Sequence, residues 1–103
     1  MWPFRKKASH RSDALALIDA GIMFAAERWI FFNRQVALAQ AMSLRDRVGL
    51  FARSFRPSLH ARHPALRAAP DEVILLIVAK GIEQSGSVSR EAIERELGIL
   101  LPP

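Results

Sequence analysis

The sequence predicts an all-α domain of about four helices built around one long central helix. Three observations predict it. Half of the 103 residues are apolar while glycine is scarce (five residues), a balance that favours packed helices over short twisted strands. The stretch Ala14–Met42 runs for 29 residues without a proline, and its only glycine is Gly21. Within it, Leu15, Ile18, Ile22, Ala25, Trp29, Phe32, Val36 and Ala39 alternate three and four apart, the spacing that holds a seam to one side of a helix.

The seam is not the whole apolar perimeter. Leu17, Phe24, Phe31 and Leu38 form a second row, and Met23 and Ile30 belong to a third. A helix that is greasy on several sides must be covered on several sides. At about 1.5 Å per residue this helix, expected over 13–42, reaches ~43 Å. A compact chain of this length has a diameter near ~35 Å. The helix therefore bends, or a second chain covers the overhang. The expectation drawn from this is a homodimer with Ile22, Trp29, Phe32 and Val36 at its interface, since large aromatics are common interface anchors. A self-contained bundle would use the same residues as core.

Before the long helix, Met1–Arg11 (MWPFRKKASHR) is expected as a basic, aromatic, flexible arm, with the helical domain spanning 12–103 and Ser12 as the cap. Trp2 and Phe4 beside Arg5, Lys6 and Lys7 suit a weak contact of Met1–Lys7 with a membrane surface. A membrane span is disfavoured, because Asp19, Glu27 and Arg28 interrupt the apolar run at about 2.5–3.5 kcal/mol for each central Asp or Arg.

Ser43–Phe55 continues as helix, but Leu44, Val48, Phe51 and Phe55 lie on different columns from the first seam. That change of phase places a break near Met42–Ser43, with Ser43 capping the helix 43–55. The next segment, 56–70, carries three prolines and is expected as a connection with one turn at Leu59–Arg62. Asp71 and Glu72 after Pro70 open a helix over 71–85. Its six consecutive apolar residues, Val73–Val78, also suit a buried strand. Helix is preferred, because the polar residues that follow continue the helical pattern and no partner strand is evident. The last helix, 89–97, has the clearest local signals: Ser89 as cap, Val88 and Ile93 as a hydrophobic staple, and Gly98 as the stop.

Charge divides the chain. Residues 1–67 hold 12 Lys/Arg against 4 Asp/Glu, a balance of +8, and residues 68–103 carry −3. Such asymmetry suits an anionic partner or head-to-tail self-association. Six arginines crowd residues 45–67, and Arg45, Arg53, Arg56 and Arg62 are the candidates for meeting an acidic protein or nucleic acid, guanidinium being the better fork for carboxylate and phosphate.

The stretch QSGSVSREAIERELGI, after an apolar helix, is similar to the first two helices of bacterial helix-turn-helix and winged-helix domains. The resemblance covers 73–99 and implies a DNA-binding regulator as the alternative function. No recognition helix has room after Gly98, and Glu91, Glu94 and Glu96 repel phosphate.

No catalytic constellation stands out: there is no glycine-rich phosphate loop, no cysteine, no paired acid in an otherwise apolar setting and no plausible nucleophile–base pair. His60 and His63 alone are too few for a zinc site. The expectation is therefore a non-enzymatic regulatory or adaptor protein with no cofactor, no metal and no small-molecule substrate. A cysteine-free chain is compatible with the reducing cytoplasm.

Overall fold

The computed structural model describes the backbone of residues 3–39 and 41–103 and the side chains of residues 13–36 and 41–103. Among these residues there are four α-helices, one 3-10 turn and no strand. Helix α1 is Pro3–Ala39, α2 is Leu44–Arg62, the 3-10 turn is Pro64–Ala68, α3 is Asp71–Gln84 and α4 is Arg90–Leu97.

The all-α expectation holds, and so does the break before Ser43. The Ser43 side chain accepts a hydrogen bond from the Asp46 N–H at 3.1 Å, satisfying a donor that the new helix would leave unpaired. Ser89 caps α4 in the same way through the Ala92 N–H, and Gly98 closes it in the left-handed conformation (φ 66°). The Val73–Val78 run is helical. Ile74, Ile77 and Val78 of the run are buried while Leu75 is exposed, so an apolar residue stands where a polar one would have marked the helical period, and the run resembles a strand in sequence.

Two boundaries differ from the sequence expectation. Helix α1 begins at Pro3, so residues 3–11 are helical where an arm is expected, and Ser12 stands inside the helix rather than at its cap. Proline at the first helical position costs nothing, since its absent N–H would have had no partner there. The side chains of Met1–Lys7, and with them any membrane-surface contact, lie outside the described residues. Helix α2 does not stop at Phe55 but continues through Pro57 to Arg62, where a connection is expected. Proline removes the N–H that would bond the Arg53 carbonyl and crowds that carbonyl. Pro57 is exposed, so water can serve the freed oxygen, while Phe55 and Leu59 on the opposite side are buried and hold the helix in place.

Helices α2 and α3 both pack on α1, and α4 closes the end formed by α2 and α3. The core joins Ile22, Phe24, Ala25 and Trp29 of α1 with Val48, Phe51, Phe55 and Leu59 of α2, Ile74, Ile77, Val78 and Ile82 of α3, and Ile93 of α4. Aromatic rings bind α1 to α2: Trp29 meets Phe51 edge-on at 5.3 Å, and Phe24 lies 5.3 Å from Phe55. Against α3 the contact is backbone-close, with Gly81 set over Ala25.

The molecule measures 56 × 27 × 21 Å with a radius of gyration of 15.1 Å, above the ~13 Å of a compact chain of this length. At about 1.5 Å per residue a 37-residue helix has that long dimension by itself. Helix α1 thus outruns the globule, as its length in sequence implies.

Candidate functional site

Once the core is formed, α1 divides into two faces. Ile22 and Trp29, two of the residues expected at a dimer interface, are shielded inside their own chain, at 7% and 0% exposure. Phe32 is half-buried, stacked on Trp29 at 6.0 Å, and Val36 is half-buried as well. The expected anchors are therefore spent, wholly or in part, on the monomer. The physical reason is the breadth of the seam: α2 and α3 together cover it, and Trp29 even satisfies its indole N–H inside the chain, on the Ser87 hydroxyl at 2.9 Å.

The face turned away is mixed, with exposed Asp19, Glu27 and Arg34 beside large apolar side chains. Met23 and Ile30, neighbours on the side away from the core, are 64% and 45% exposed, and Leu15 of the seam (60%) and Phe31 of the second row (59%) are exposed to either side of them. Large apolar side chains left exposed together on one helix are candidates for contact with a second surface. Met23 and Ile30 are the third apolar row of the sequence. What the sequence does not reveal is that this row, rather than the seam, is the one left uncovered, because that depends on where α2 and α3 dock.

The four candidate arginines part company. Arg53 and Arg56 line one open groove of about 770 Å³ between α2 and α3, with Arg67 from the 3-10 turn beside them. Its floor is apolar, from Ala52, Ile74, Leu75 and Val78. Asp71 is the one carboxylate among the lining residues, bonded to Arg56 at 2.7 Å on an exposed rim. Such a pair is weak, at about 0–1 kcal/mol, so the groove remains positively charged. His60 also lines it, and its buried Nε2 has no hydrogen-bond partner among the described residues. Arg45 instead donates from Nε to the Glu96 carbonyl at 3.0 Å, neutralising the C-terminal end of α4. Arg62 lies over the Phe24 ring at 4.7 Å. Arg67 belongs to the crowd of arginines seen in sequence, but its place beside Arg53 follows from a turn the prolines of 56–70 only hint at.

A third polar cluster secures the end of the chain. Glu83 bonds Arg90 at 2.8 Å and Lys80 at 3.0 Å. Arg90 and Lys80 in turn donate to the carbonyl of Pro102, Arg90 also to that of Leu101, and Glu94 accepts the Leu101 N–H at 2.8 Å. Leu101 is thereby seated in the core. The hydrogen bond from Arg90, then that from Lys80, lowers the Glu83 carboxyl below its ordinary 4.5. A lowered acid favours the fold above its unfolded pKa and ceases to do so as pH falls through the folded value. Acidification from pH 5 downward is thus expected to loosen residues 99–103 before the helices melt. Amide hydrogen exchange at Leu101 against pH checks this, and Glu83→Gln should exchange fast already at pH 6.

Among the described residues no helix is long and apolar enough to cross a membrane, and no group of three or more His, Cys, Asp or Glu is placed to hold a metal ion. No protein-family model matches the chain, and no curated protein or solved structure is found to be similar to it.

Proposed function

We propose that this chain is a non-enzymatic helical interaction protein that associates with itself through the outer face of α1 and offers the basic groove between α2 and α3 to an acidic partner. The observation that carries the proposal is the exposure of Leu15, Met23, Ile30 and Phe31 on a helix longer than its own globule. Apolar surface so arranged gains free energy at about 25 cal/mol per Å² when a second surface covers it. The groove adds a different chemistry on a different side. Arg53, Arg56 and Arg67 suit carboxylates or phosphates, and the apolar floor favours an amphipathic acidic protein segment over a nucleic-acid backbone, which has no apolar groups to place there. The helix-turn-helix alternative has that basic surface and the order of α3, turn and α4 in its support, but Glu91, Glu94 and Glu96 on and beside α4 repel phosphate. The reducing cytoplasm suits such an adaptor.

Sedimentation equilibrium of the full chain tests the proposal. The expected mass is twice that of the 11.5 kDa chain at micromolar concentration. Met23→Lys and Ile30→Lys should each give monomers with unchanged helical circular dichroism, since neither side chain belongs to the core. A monomer at every concentration overturns self-association. For the groove, little retention of duplex DNA is expected in a gel shift at low salt, whereas strong retention lost in Arg53→Glu would favour the regulator instead.

A further inference from the structure

We infer that the outer face of α1 receives a second copy of α1 running antiparallel, in the one register that sets Met23 against Ile30 of the second copy and Asp19 against its Arg34. The inference rests on the self-association proposed above and names its geometry.

The face itself dictates the register. At 100° per residue, Asp19, Ile30, Met23 and Arg34 fall within an arc of about 60° on the side of α1 away from the core. All four are exposed. In order along the helix they read acid, apolar, apolar, base, with four residues from Asp19 to Met23 and four from Ile30 to Arg34. A row with that symmetry is complementary to itself only when reversed. A two-fold axis between Ala26 and Glu27 pairs each apolar residue with the other and each acid with the base, twice per dimer. Half-buried Ala26 at the axis lets the two helices approach closely where they cross. Leu15 and Phe31, both exposed, lie about 40° and 60° outside the arc on its two sides and flank the apolar contact.

The parallel arrangement fails on the same residues. It sets Asp19 against Asp19 and Arg34 against Arg34, two repulsions in place of two attractions. One cost remains in the antiparallel form: the Glu27 side chains of the two copies approach each other beside the axis. Glu27→Gln is expected to tighten the dimer a few-fold at low salt.

The absence of cysteine from the chain makes the register directly testable. Met23→Cys and Ile30→Cys chains of different tag size are mixed and mildly oxidised. The expected product is the mixed disulfide dimer. Neither variant alone should cross-link, because like positions are seven residues apart along the antiparallel pair, about 10 Å at 1.5 Å per residue, beyond the ~7 Å a disulfide bridges. Asp19→Arg and Arg34→Asp should each weaken the dimer about tenfold in sedimentation equilibrium at low salt, and the double variant should recover to within about threefold. Self-cross-linking of either cysteine variant, or a double variant no better than the singles, overturns the antiparallel register while leaving self-association standing. A wild-type chain that stays monomeric overturns both.

Discussion

Trp29→Ala is expected to remove a large part of the stability of the fold, about 3–5 kcal/mol from a total that for domains of this class is about 5–15. Trp29 has no exposed surface and is among the largest fully buried side chains. Its ring meets Phe51 edge-on at 5.3 Å and stacks on Phe32 at 6.0 Å, so truncation leaves a void bounded by two other rings from two helices. Its indole N–H reaches Ser87 in the turn between α3 and α4, so the same side chain ties α1 to the far end of the molecule. Ser87 is exposed and can turn to water when that bond is lost, so the hydrogen bond is the smaller part of the cost. Trp29→Phe should therefore lose only about 1–2 kcal/mol. Urea unfolding followed by circular dichroism measures both. At about 4–8 °C per kcal/mol, the alanine variant should melt roughly 12–40 °C lower. The loss should be present at all protein concentrations. A loss seen only on dilution of the dimer would mean that Trp29 acts between chains, the role its place in the seam implies before the fold is known.

That contrast shows what was legible in the sequence. The seam through Ile22 and Trp29 announces burial but not the partner that buries it, because periodicity fixes a direction around one helix and nothing about the neighbour in that direction. Caps are different. Ser43, Ser89 and Gly98 act through bonds to residues within four positions, so their roles are readable locally, and all three perform them. The end of α2 is the opposite case. Pro57 argues locally for a stop, and a tertiary contact wins: Leu59, fully buried, holds the following turn. The basic groove falls between the two. A crowd of arginines over 45–67 is plain in the sequence. Which of them face one groove depends on the docking of α3 and on the turn that carries Arg67, while Arg45 and Arg62 find other company. The uncovered row Met23–Ile30 emerges only by subtraction, after α2 and α3 have taken their sides.

Alanine is expected to act with opposite sign at two helical glycines, and the larger effect is at Gly81. In a helix interior the Gly→Ala change by itself favours folding by about 0.5–1 kcal/mol, since it restricts the unfolded chain and suits the helix. At Gly49, on the exposed side of α2, an added Cβ meets nothing within 4 Å, so Gly49→Ala should show that gain undiminished. At Gly81 the new Cβ would stand 2.5 Å from the Ala25 Cβ, 2.9 Å from the Ala26 nitrogen and 3.0 Å from the Ile22 carbonyl oxygen. Two of those three atoms are backbone and cannot rotate aside. The crossing of α1 and α3 must open, and it carries Ile22, Ala25, Ile77, Val78 and Ile82 with it. Overpacking of this kind costs about 1–3 kcal/mol, which exceeds the propensity gain. Gly81→Ala should therefore unfold at lower urea than the parent while Gly49→Ala unfolds at higher, and Gly81→Val should fall further still. Equal and favourable shifts at both positions would mean that α1 and α3 do not cross at Gly81, and the division of α1 into a covered and an uncovered face would lose its basis.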